Sequence, residues 1–320
     1  MELIVGIDTS AYTTSVAVID SEQKVWFDER QLLKVPAGLR GLRQSEAVFQ
    51  HVQNLPDLVE RMSRQVDPRQ IVRVVASGRP RPVADSYMPV FTVGAGLARS
   101  LAAALKVTPI MVSHQEGHLA AGIWSAQGPR EEKFLAVHLS GGTSELLVVG
   151  RASSQDQVFA IDRLGQSNDL HAGQFVDRLG VRLGLSFPAG AALEKLAAQA
   201  EGEPLVRLPS AVRGYDFSFA GPAAAAERLL DRGVPGPLVA RAVEACLVKT
   251  LEKVLRRARE QLGLTAAILV GGVAANHYLR QRLTERLSHP AVGMKLYFTD
   301  PRYSTDNAVG VALCGTYIKY

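Results

Sequence analysis

Cysteine is nearly absent from this chain, with only two residues, Cys246 and Cys314, among 320. Both lie in apolar stretches with helical spacing and are predicted to be core residues. A disulfide framework and a cysteine-rich metal site are therefore excluded. Any metal ion has to be held by histidine, carboxylate or another oxygen ligand.

Long apolar runs and runs of one charge are also missing. No apolar stretch reaches the ~18 residues of a membrane-spanning helix. The opening MELIVGIDTS lacks the basic and apolar regions of a secretory signal. We therefore expect no membrane association and a cytoplasmic location. The charge is mildly basic, with 36 Lys and Arg against 31 Asp and Glu, which permits a nucleic-acid partner without predicting one.

A pattern of strand, glycine- or hydroxyl-rich turn and strand occurs once in each half of the chain. ELIVGIDTS leads directly into TTSVAVID, and FLAVHLSGGTSELLVVG repeats the arrangement after the polar segment 125–133. This weak internal repeat predicts two similar α/β lobes with a cleft between them. We place the N-terminal lobe at 1–129, with a helix at 308–320 packing back on it. The C-terminal lobe is placed at 130–307, with a helical insertion at about 168–259.

Three turns in this pattern have residues suited to nucleotide phosphates. Small residues let backbone N–H groups approach phosphate oxygens, and hydroxyl groups add donors. None of the turns matches a P-loop or a Rossmann fingerprint, and each alone is more typical of a β-turn. Their occurrence together favours a nucleotide site. The turns comprise Asp8, Thr9 and Ser10, then Ser140, Gly141, Gly142 and Thr143, and finally Gly271, Gly272 and Asn276.

Two histidines, His114 and His118, are spaced four residues apart in SHQEGHLAAG. On a helix they lie on one face, where both imidazoles can bind one metal ion. An isolated pair is more commonly solvated or capping, because a metal site needs three or four ligands. Asp306 and His138 are further candidate ligands, although an N-cap role and a core role would also explain them. Glu116 does not take the position of the glutamate in H-E-x-x-H, so a metalloprotease is not supported.

Over nearly its whole length the sequence resembles the TsaD/Gcp family, the threonylcarbamoyltransferases of tRNA modification. The similar motifs occur in the family's order: GIDTS, SHQEGHLAAG, LSGGTSEL, SNDLHAGQFVDRLG, GYDFSFAG, GGVAANHYLR and STDNAVG. The resemblance implies an α/β fold of the actin/Hsp70-like (ASKHA) type. It also implies duplicated ribonuclease H-like lobes, with ATP or an adenylate in a central cleft.

The same resemblance implies one divalent metal ion, iron or zinc, held by His114, His118 and Asp306 against the nucleotide's phosphates. His138 takes the place of a tyrosine that is a further ligand in some members. The implied reaction transfers a threonylcarbamoyl group from its adenylate to an adenine amine of tRNA. The implied partners are tRNA and either a TsaB-like protein or a second copy of this chain. The implied phosphate loop is Ser140, Gly141, Gly142 and Thr143, and the implied nucleoside contacts are Asp169, Gly173, Asp177 and Asn276.

The acceptor side departs from the family pattern. The acidic pair of TSCDET is replaced in the segment 11–14, a longer segment with Arg79 and Arg81 replaces GPGL, and Gln174 replaces an acidic residue. These changes predict a divergent paralogue that still binds metal and nucleotide, with no catalytic residue assigned. They leave open threonylcarbamoyl or related carbamoyl transfer, and a regulatory or partner-binding module. A sugar or metabolite kinase is disfavoured, because such kinases need a carboxylate base facing the acceptor and the replaced segment 11–14 has none.

Overall fold

The computed structural model describes residues 1–10, 12–36, 41–83, 85–152, 157–200 and 206–318. Ala11, in the altered segment, and the last two residues of the predicted helix 308–320 lie outside the described residues. The strands are β1 (Leu3–Thr9), β2 (Thr13–Asp20), β3 (Val25–Leu32), β4 (Ile71–Arg79), β5 (Thr108–Ser113), β6 (Lys133–Leu139), β7 (Ser144–Arg151), β8 (Phe159–Gln166), β9 (Ala211–Arg213), β10 (Asp216–Ser218), β11 (Ala266–Val270) and β12 (Lys295–Phe298).

The helices connect these strands and cover their faces. None of the described helices is long and apolar enough to cross a membrane. The helices are α1 (Gln44–Gln65), α2 (Pro89–Leu105), α3 (His114–Ala126), α4 (Ala172–Arg182), α5 (Gly190–Ala198), α6 (Ala220–Asp231), α7 (Gly236–Leu262), α8 (His277–Leu287), α9 (Pro301–Ser304) and α10 (Ala308–Tyr317).

The chain divides into two compact units. The first unit comprises Met1–Ser125, Arg151–Ala160 and Thr305–Tyr320, and the second comprises Ala126–Gly150 and Ile161–Ser304. The first unit therefore contains α10, from the far end of the sequence. Each unit has a sheet of its own and a buried apolar core of its own.

The two sheets share one topology. The first unit has the order β3-β2-β1-β4-β5 and the second β12-β11-β6-β7-β8. When the strands are numbered within their own sheet and the second sheet is taken from β8 to β12, each sheet runs third, second, first, fourth, fifth strand. In the first unit β1 is antiparallel to β2 and parallel to β4, and in the second β6 is antiparallel to β7 and parallel to β11. This duplication is the actin/Hsp70-like arrangement, so the predicted fold class is confirmed.

The predicted antiparallel meander at the start of the chain is confirmed as β1, β2 and β3. All eight residues of β2 are buried. Because successive side chains of a strand point to opposite faces, complete burial requires cover on both faces. Helices α1 and α10 both contact β2 and provide that cover.

Helix α2 begins earlier than the glycine-rich segment suggested. Pro89 is its first residue, and the extended Met88 precedes it. Proline suits this position because the first N–H of a helix has no intrahelical partner. Gly94 lies inside the helix, where an added Cβ would be 2.8 Å from Thr9 Oγ1. This glycine therefore lets α2 pass closely over the end of β1.

The carboxyl ends of the parallel strands in the first unit meet at one edge of the sheet. Strands β1, β4 and β5 run in parallel, and Asp8, Ser77 and Ser113 lie at or near their ends. Helix α3 begins at His114, directly after β5. In open α/β sheets ligands bind beyond this edge, so it is the natural position for a site.

Helices α3 and α10 cross at a pair of glycines. A Cβ on Gly310 would overlap the carbonyl group of Gly117, and one on Gly117 would lie 3.1 Å from Val311 Cγ2. The two backbones therefore approach too closely for any side chain on Gly310. This crossing holds the start of α10, and Asp306 just before it, beside the first turns of α3.

We expect Gly310→Ala to destabilise the first unit. Overpacking at a tight contact typically costs about 1–3 kcal/mol. The matched control is Gly96→Ala in α2, where an added Cβ meets nothing within 4 Å. That change should stabilise the protein by roughly 0.5–1 kcal/mol, because alanine favours a helix interior. Urea unfolding followed by tryptophan fluorescence reports the first unit, which contains both Trp26 and Trp124. Equal shifts for the two variants would contradict the tight crossing.

Candidate functional site

The clearest site in the first unit is a triangle of two histidines and one aspartate. The Nε2 atoms of His114 and His118 lie 3.1 Å apart, and Asp306 Oδ1 lies 3.5 and 3.4 Å from them. A tetrahedral ion with bonds of about 2.0–2.1 Å needs ligand atoms roughly 3.3–3.4 Å apart. The three edges match that spacing, so these side chains fit one divalent metal ion without rearrangement.

Asp306 is not the cap of the helix that follows it. The side chain of its neighbour Asn307 accepts a hydrogen bond from Gly310 N at 3.0 Å and caps α10. Asp306 is therefore free of the capping role that the sequence also allowed. Its carboxylate is directed to the two histidines instead.

The electrostatics of this triangle are those of an incomplete cation site. Burial lowers the pKa of His114, but the charges of Asp8 and Asp306 and their hydrogen bonds outweigh it and raise the pKa to about 10. Burial and the neighbouring His114 charge lower the pKa of His118. Burial opposes ionisation of Asp306, yet its hydrogen bonds with both histidines hold its pKa well below the usual range. One proton thus occupies the space between facing ligand atoms, and a metal ion would displace it.

Glu116, between the two histidines, has a structural role. Its Oε2 accepts hydrogen bonds from Ser113 N at 2.8 Å and Ser113 Oγ at 2.7 Å. Its Oε1 accepts one from Val158 N at 3.0 Å. The side chain is 2% exposed. These bonds fasten the start of α3 to the segment before β8, which leaves Glu116 unsuited to act as a base.

We expect Glu116→Gln to lower stability by about 1–3 kcal/mol, because the amide replaces an acceptor oxygen with a donor facing an N–H group. Zinc affinity should stay within a few-fold of wild type. Thermal unfolding and a zinc titration on the same preparation measure both effects. A large loss of zinc affinity with unchanged stability would show that Glu116 belongs to the metal site.

The first predicted turn is buried and points into the first unit. Thr9 Oγ1 donates to Val90 O at 2.9 Å and accepts from Gly94 N at 3.1 Å, so Thr9 anchors α2. Asp8 and Ser10 are 0% and 1% exposed, and the Asp8 carboxylate faces His114. That this turn contacts a nucleotide stays a prediction.

A buried histidine that the sequence analysis missed supports the same turn. His51 of α1 contacts Thr14 Oγ1 through Nδ1 at 2.8 Å and Ser10 O through Nε2 at 2.9 Å. Thr14 also accepts a hydrogen bond from Asn54. Thr14 belongs to the segment that replaces the family's acidic pair. It therefore holds α1 against the turn and has no free hydroxyl for acid–base chemistry.

In the second unit, the loop between β6 and β7 and the start of α4 lie together. Ser140 Oγ accepts from Thr143 N at 3.0 Å and from Gly142 N at 3.3 Å, and Gly173 N donates to Ser140 O at 3.0 Å. A Cβ on Gly173 would lie 2.6 Å from Gly141 N, whereas one on Gly141 or Gly142 would meet nothing within 4 Å. Gly173 therefore packs tightly against the loop, whereas the space beside Gly141 and Gly142 is open. Backbone N–H groups in such a loop suit an anion.

The two aspartates predicted for the nucleoside already accept backbone hydrogen bonds. Asp169 Oδ1 accepts from Phe219 N at 3.0 Å and Ala220 N at 3.3 Å, at the start of α6. Asp177 Oδ1 accepts from Ala189 N at 2.7 Å, and burial raises the pKa of this carboxyl group. The second oxygen of Asp169 accepts a hydrogen bond from the Ser218 hydroxyl. The nucleoside contacts of both aspartates stay predictions.

The third predicted turn opens α8 as expected. Gly271 has φ +92°, and a Cβ there would overlap Leu139 O, so both its conformation and its space require glycine. Gly272 begins the 3₁₀ turn Gly272–Ala275. Asn276 caps α8 by accepting from Leu279 N at 2.8 Å and donates to Glu244 Oε1 at 2.6 Å.

His138 lies at the end of β6 in the second unit. It is 3% exposed and pairs with Glu145 and Val270 of the neighbouring strands. Within the described part of the chain, the triangle of possible ligands comprises His114, His118 and Asp306 and does not include it. Its role as a metal ligand stays a prediction.

Glu244 of α7 is a buried acid that sequence patterns gave no reason to select. It is 2% exposed, and it bonds Asn276 and Arg241 Nη1, the latter at 2.6 Å. Burial raises its pKa to about 7, against the partly compensating effects of those two partners. Glu244 therefore fixes the amide of Asn276 at a position predicted to contact the nucleoside.

The raised pKa of Glu244 predicts a pH-dependent stability. The folded chain holds this proton up to about pH 7, whereas the unfolded chain releases it near pH 4.5. The free energy of unfolding should therefore fall by about 2 kcal/mol between pH 5 and pH 8 relative to Glu244→Gln. Urea unfolding followed by circular dichroism measures the difference. Glu260→Gln, at an exposed position of α7, should behave as wild type, and parallel pH profiles for wild type and Glu244→Gln would contradict the prediction.

The duplicated sheets place the protein in the actin/Hsp70-like class. Two solved structures share this fold at low sequence identity. Full-length HypF in the phosphate- and nucleotide-bound form gives a TM-score of 0.62 at 15% identity, over 99% of this chain and 46% of that one. Component A of (R)-2-hydroxyglutaryl-CoA dehydratase from Acidaminococcus fermentans gives 0.57 at 13% identity, over the full length of both. At these identities the likeness is one of fold alone.

Sequence comparison identifies the family within this class. Residues 36–313 match the family model described as TsaD, tRNA N6-adenosine threonylcarbamoyltransferase. The chain is 32% identical over 313 residues to the tRNA N6-adenosine threonylcarbamoyltransferase of Archaeoglobus fulgidus, which covers 98% of this chain and 90% of the relative. The chain therefore belongs to the TsaD family, and the predicted resemblance is confirmed.

Proposed function

We propose that the protein transfers a threonylcarbamoyl group, or a related carbamoyl group, from its adenylate to an adenosine of tRNA. The observation that carries the proposal is the triangle of His114, His118 and Asp306 in a chain of the TsaD family. The ligand atoms fit one divalent ion. Imidazole and carboxylate ligands suit iron or zinc. A tRNA acceptor would place the reaction in the cytoplasm.

The second unit would hold the nucleotide. The open side of the loop at Gly141 and Gly142 leaves room for a phosphate beside the N-terminus of α4, where the helix dipole favours an anion. Asn276, fixed by Glu244, would contact the base. The same fold in HypF has been solved with phosphate and nucleotide bound, which supports this assignment.

The chemistry is an acyl transfer. The adenine amine attacks the carbamoyl carbon of the mixed anhydride, a C–N bond forms, and the C–O bond to phosphate breaks. AMP leaves with the bonding electrons, and the amine proton passes to solvent. A bound metal ion would supply Lewis-acid polarisation of a carbonyl or phosphate oxygen. The dipole at the N-terminus of α4 would stabilise the charge that grows on the leaving phosphate.

The family's acidic pair is not needed for this scheme, because the steps rely on positioning and charge stabilisation. Within the segment 11–14 that replaces this pair, Thr13 and Thr14 are buried. The proposal therefore assigns no general base on the first turn. The alternative is a regulatory module that binds nucleotide but transfers no group. A transfer assay distinguishes it from the enzyme.

A protein partner would bind on α1. Phe49 and Val52 are 61% and 55% exposed, and with the exposed Pro56 they form an apolar row at helical spacing. Such a row is suited to packing against another helix. A TsaB-like protein or a second copy of this chain are the partners we propose.

The metal and nucleotide should be tested together. We expect wild type to bind one zinc or ferrous ion and to bind ATP, and His114→Ala/His118→Ala to lose the metal, since two of three ligands are removed. Elemental analysis and calorimetric ATP titrations, with and without chelator, measure these effects. His277→Ala is the matched control, because this exposed histidine of α8 contacts only Glu194 in the described chain.

Transfer is then assayed with threonylcarbamoyl adenylate and unmodified tRNA, with the modified nucleoside detected by mass spectrometry. Product from wild type and none from the double variant would support the enzyme. Metal and ATP binding without product would favour the regulatory module. A wild-type protein that binds neither would overturn the proposed site.

A further inference from the structure

The Asp8 carboxylate, at the end of β1, is fully buried beside the proposed metal ligands. It is 0% exposed. Its Oδ1 accepts a hydrogen bond from the Ser77 hydroxyl and lies 3.2 Å from His114 Nδ1. Its Oδ2 is buried and has no hydrogen-bond partner within the ranges that the structure describes.

The geometry fixes which nitrogen of His114 keeps its proton when the imidazole is neutral, as a metal ligand must be. An ionised carboxylate only accepts, so His114 Nδ1 must donate to Asp8. The lone pair of the ring then lies on Nε2, the atom 3.1 Å from His118 Nε2 and 3.5 Å from Asp306 Oδ1. The Ser77 hydroxyl donates its only proton to the same Asp8 oxygen, and this hydrogen bond fixes the orientation of the carboxylate.

The charge of Asp8 also needs a partner. In the described chain it forms no ion pair with lysine or arginine, and His114 is its only ion-pair contact. An uncompensated buried carboxylate is strongly unfavourable. When a metal ion displaces the proton between the ligand atoms, both imidazoles are neutral, and Asp8 and Asp306 bring two negative charges to this small cluster. One divalent cation at the triangle balances them.

We propose that Asp8 is a positioning residue of the metal centre. It holds His114 in the tautomer whose Nε2 faces the ion, and it supplies one of the two negative charges that a divalent ion neutralises. Ser77 orients Asp8 for this task. The inference rests on the proposed function for the metal centre itself, and it extends the centre to two residues that do not touch the ion.

The test compares zinc affinities at one pH, by competition with a chromophoric chelator. Removing such an outer partner typically lowers metal affinity about 10–100-fold. We expect a loss of that size for Asp8→Asn, which keeps the shape and removes the charge, and a smaller loss for Ser77→Ala. The matched control is Asp20→Asn, at a buried aspartate at the far end of β2 that accepts from Trp26 Nε1. It should bind zinc as wild type does.

A second measurement needs no variant and so stands even if Asp8→Asn fails to fold. In zinc-loaded wild type, ¹⁵N-detected histidine spectra should show His114 protonated at Nδ1 and metal-bound at Nε2. The opposite tautomer, or equal zinc affinity for wild type and Asp8→Asn, would overturn the role of Asp8 and leave the metal centre standing. A wild-type protein without zinc affinity would overturn the metal centre itself, and the inference with it.

Discussion

The close crossing of α3 and α10 is the contact on which the candidate metal site depends. Gly117 and Gly310 bring the two backbones together without intervening side chains. His118 follows one glycine directly, and Asp306 lies four residues before the other. If the helices stood one side chain further apart, Asp306 Oδ1 could not lie within 3.4 Å of His118 Nε2. The glycine between Glu116 and His118 is thus part of the site, although it has no side chain to offer.

The residues around this crossing divide the work between anchoring and binding. Three side chains have an anchoring role, because their polar atoms bond to backbone groups or neighbouring side chains. Glu116 holds α3 to the sheet edge, Thr9 holds α2 and Thr14 holds α1. The imidazoles and Asp306 keep their ligand atoms directed at one another. Such rigid support matters because a metal triangle tolerates errors of only a few tenths of an ångström.

The sequence predicted two similar α/β lobes and the histidine pair because both have local signatures: repeated strand–turn–strand runs and a four-residue spacing. The actin/Hsp70-like class was implied by the family resemblance. It did not predict the parts that depend on long-range packing. His51, Ser77 and Glu244 carry no motif, and they matter only because α1, β4 and α7 bring them to Thr14, Asp8 and Asn276. The earlier start of α2 at Pro89 was missed for a local reason, since the glycines inside that helix resembled a boundary.

The order of the chain has a consequence for synthesis. The first unit contains His114 and His118, but its third ligand, Asp306, comes only after nearly all of the second unit. A ribosome therefore completes the second unit before it makes the residue that closes the triangle. A nascent or truncated chain that ends before Asp306 would present two facing imidazoles without the carboxylate, and because it also lacks α10 it would leave one face of β2 uncovered. Completion of the triangle and closure of the first unit are thus a single late event in the synthesis of the polypeptide.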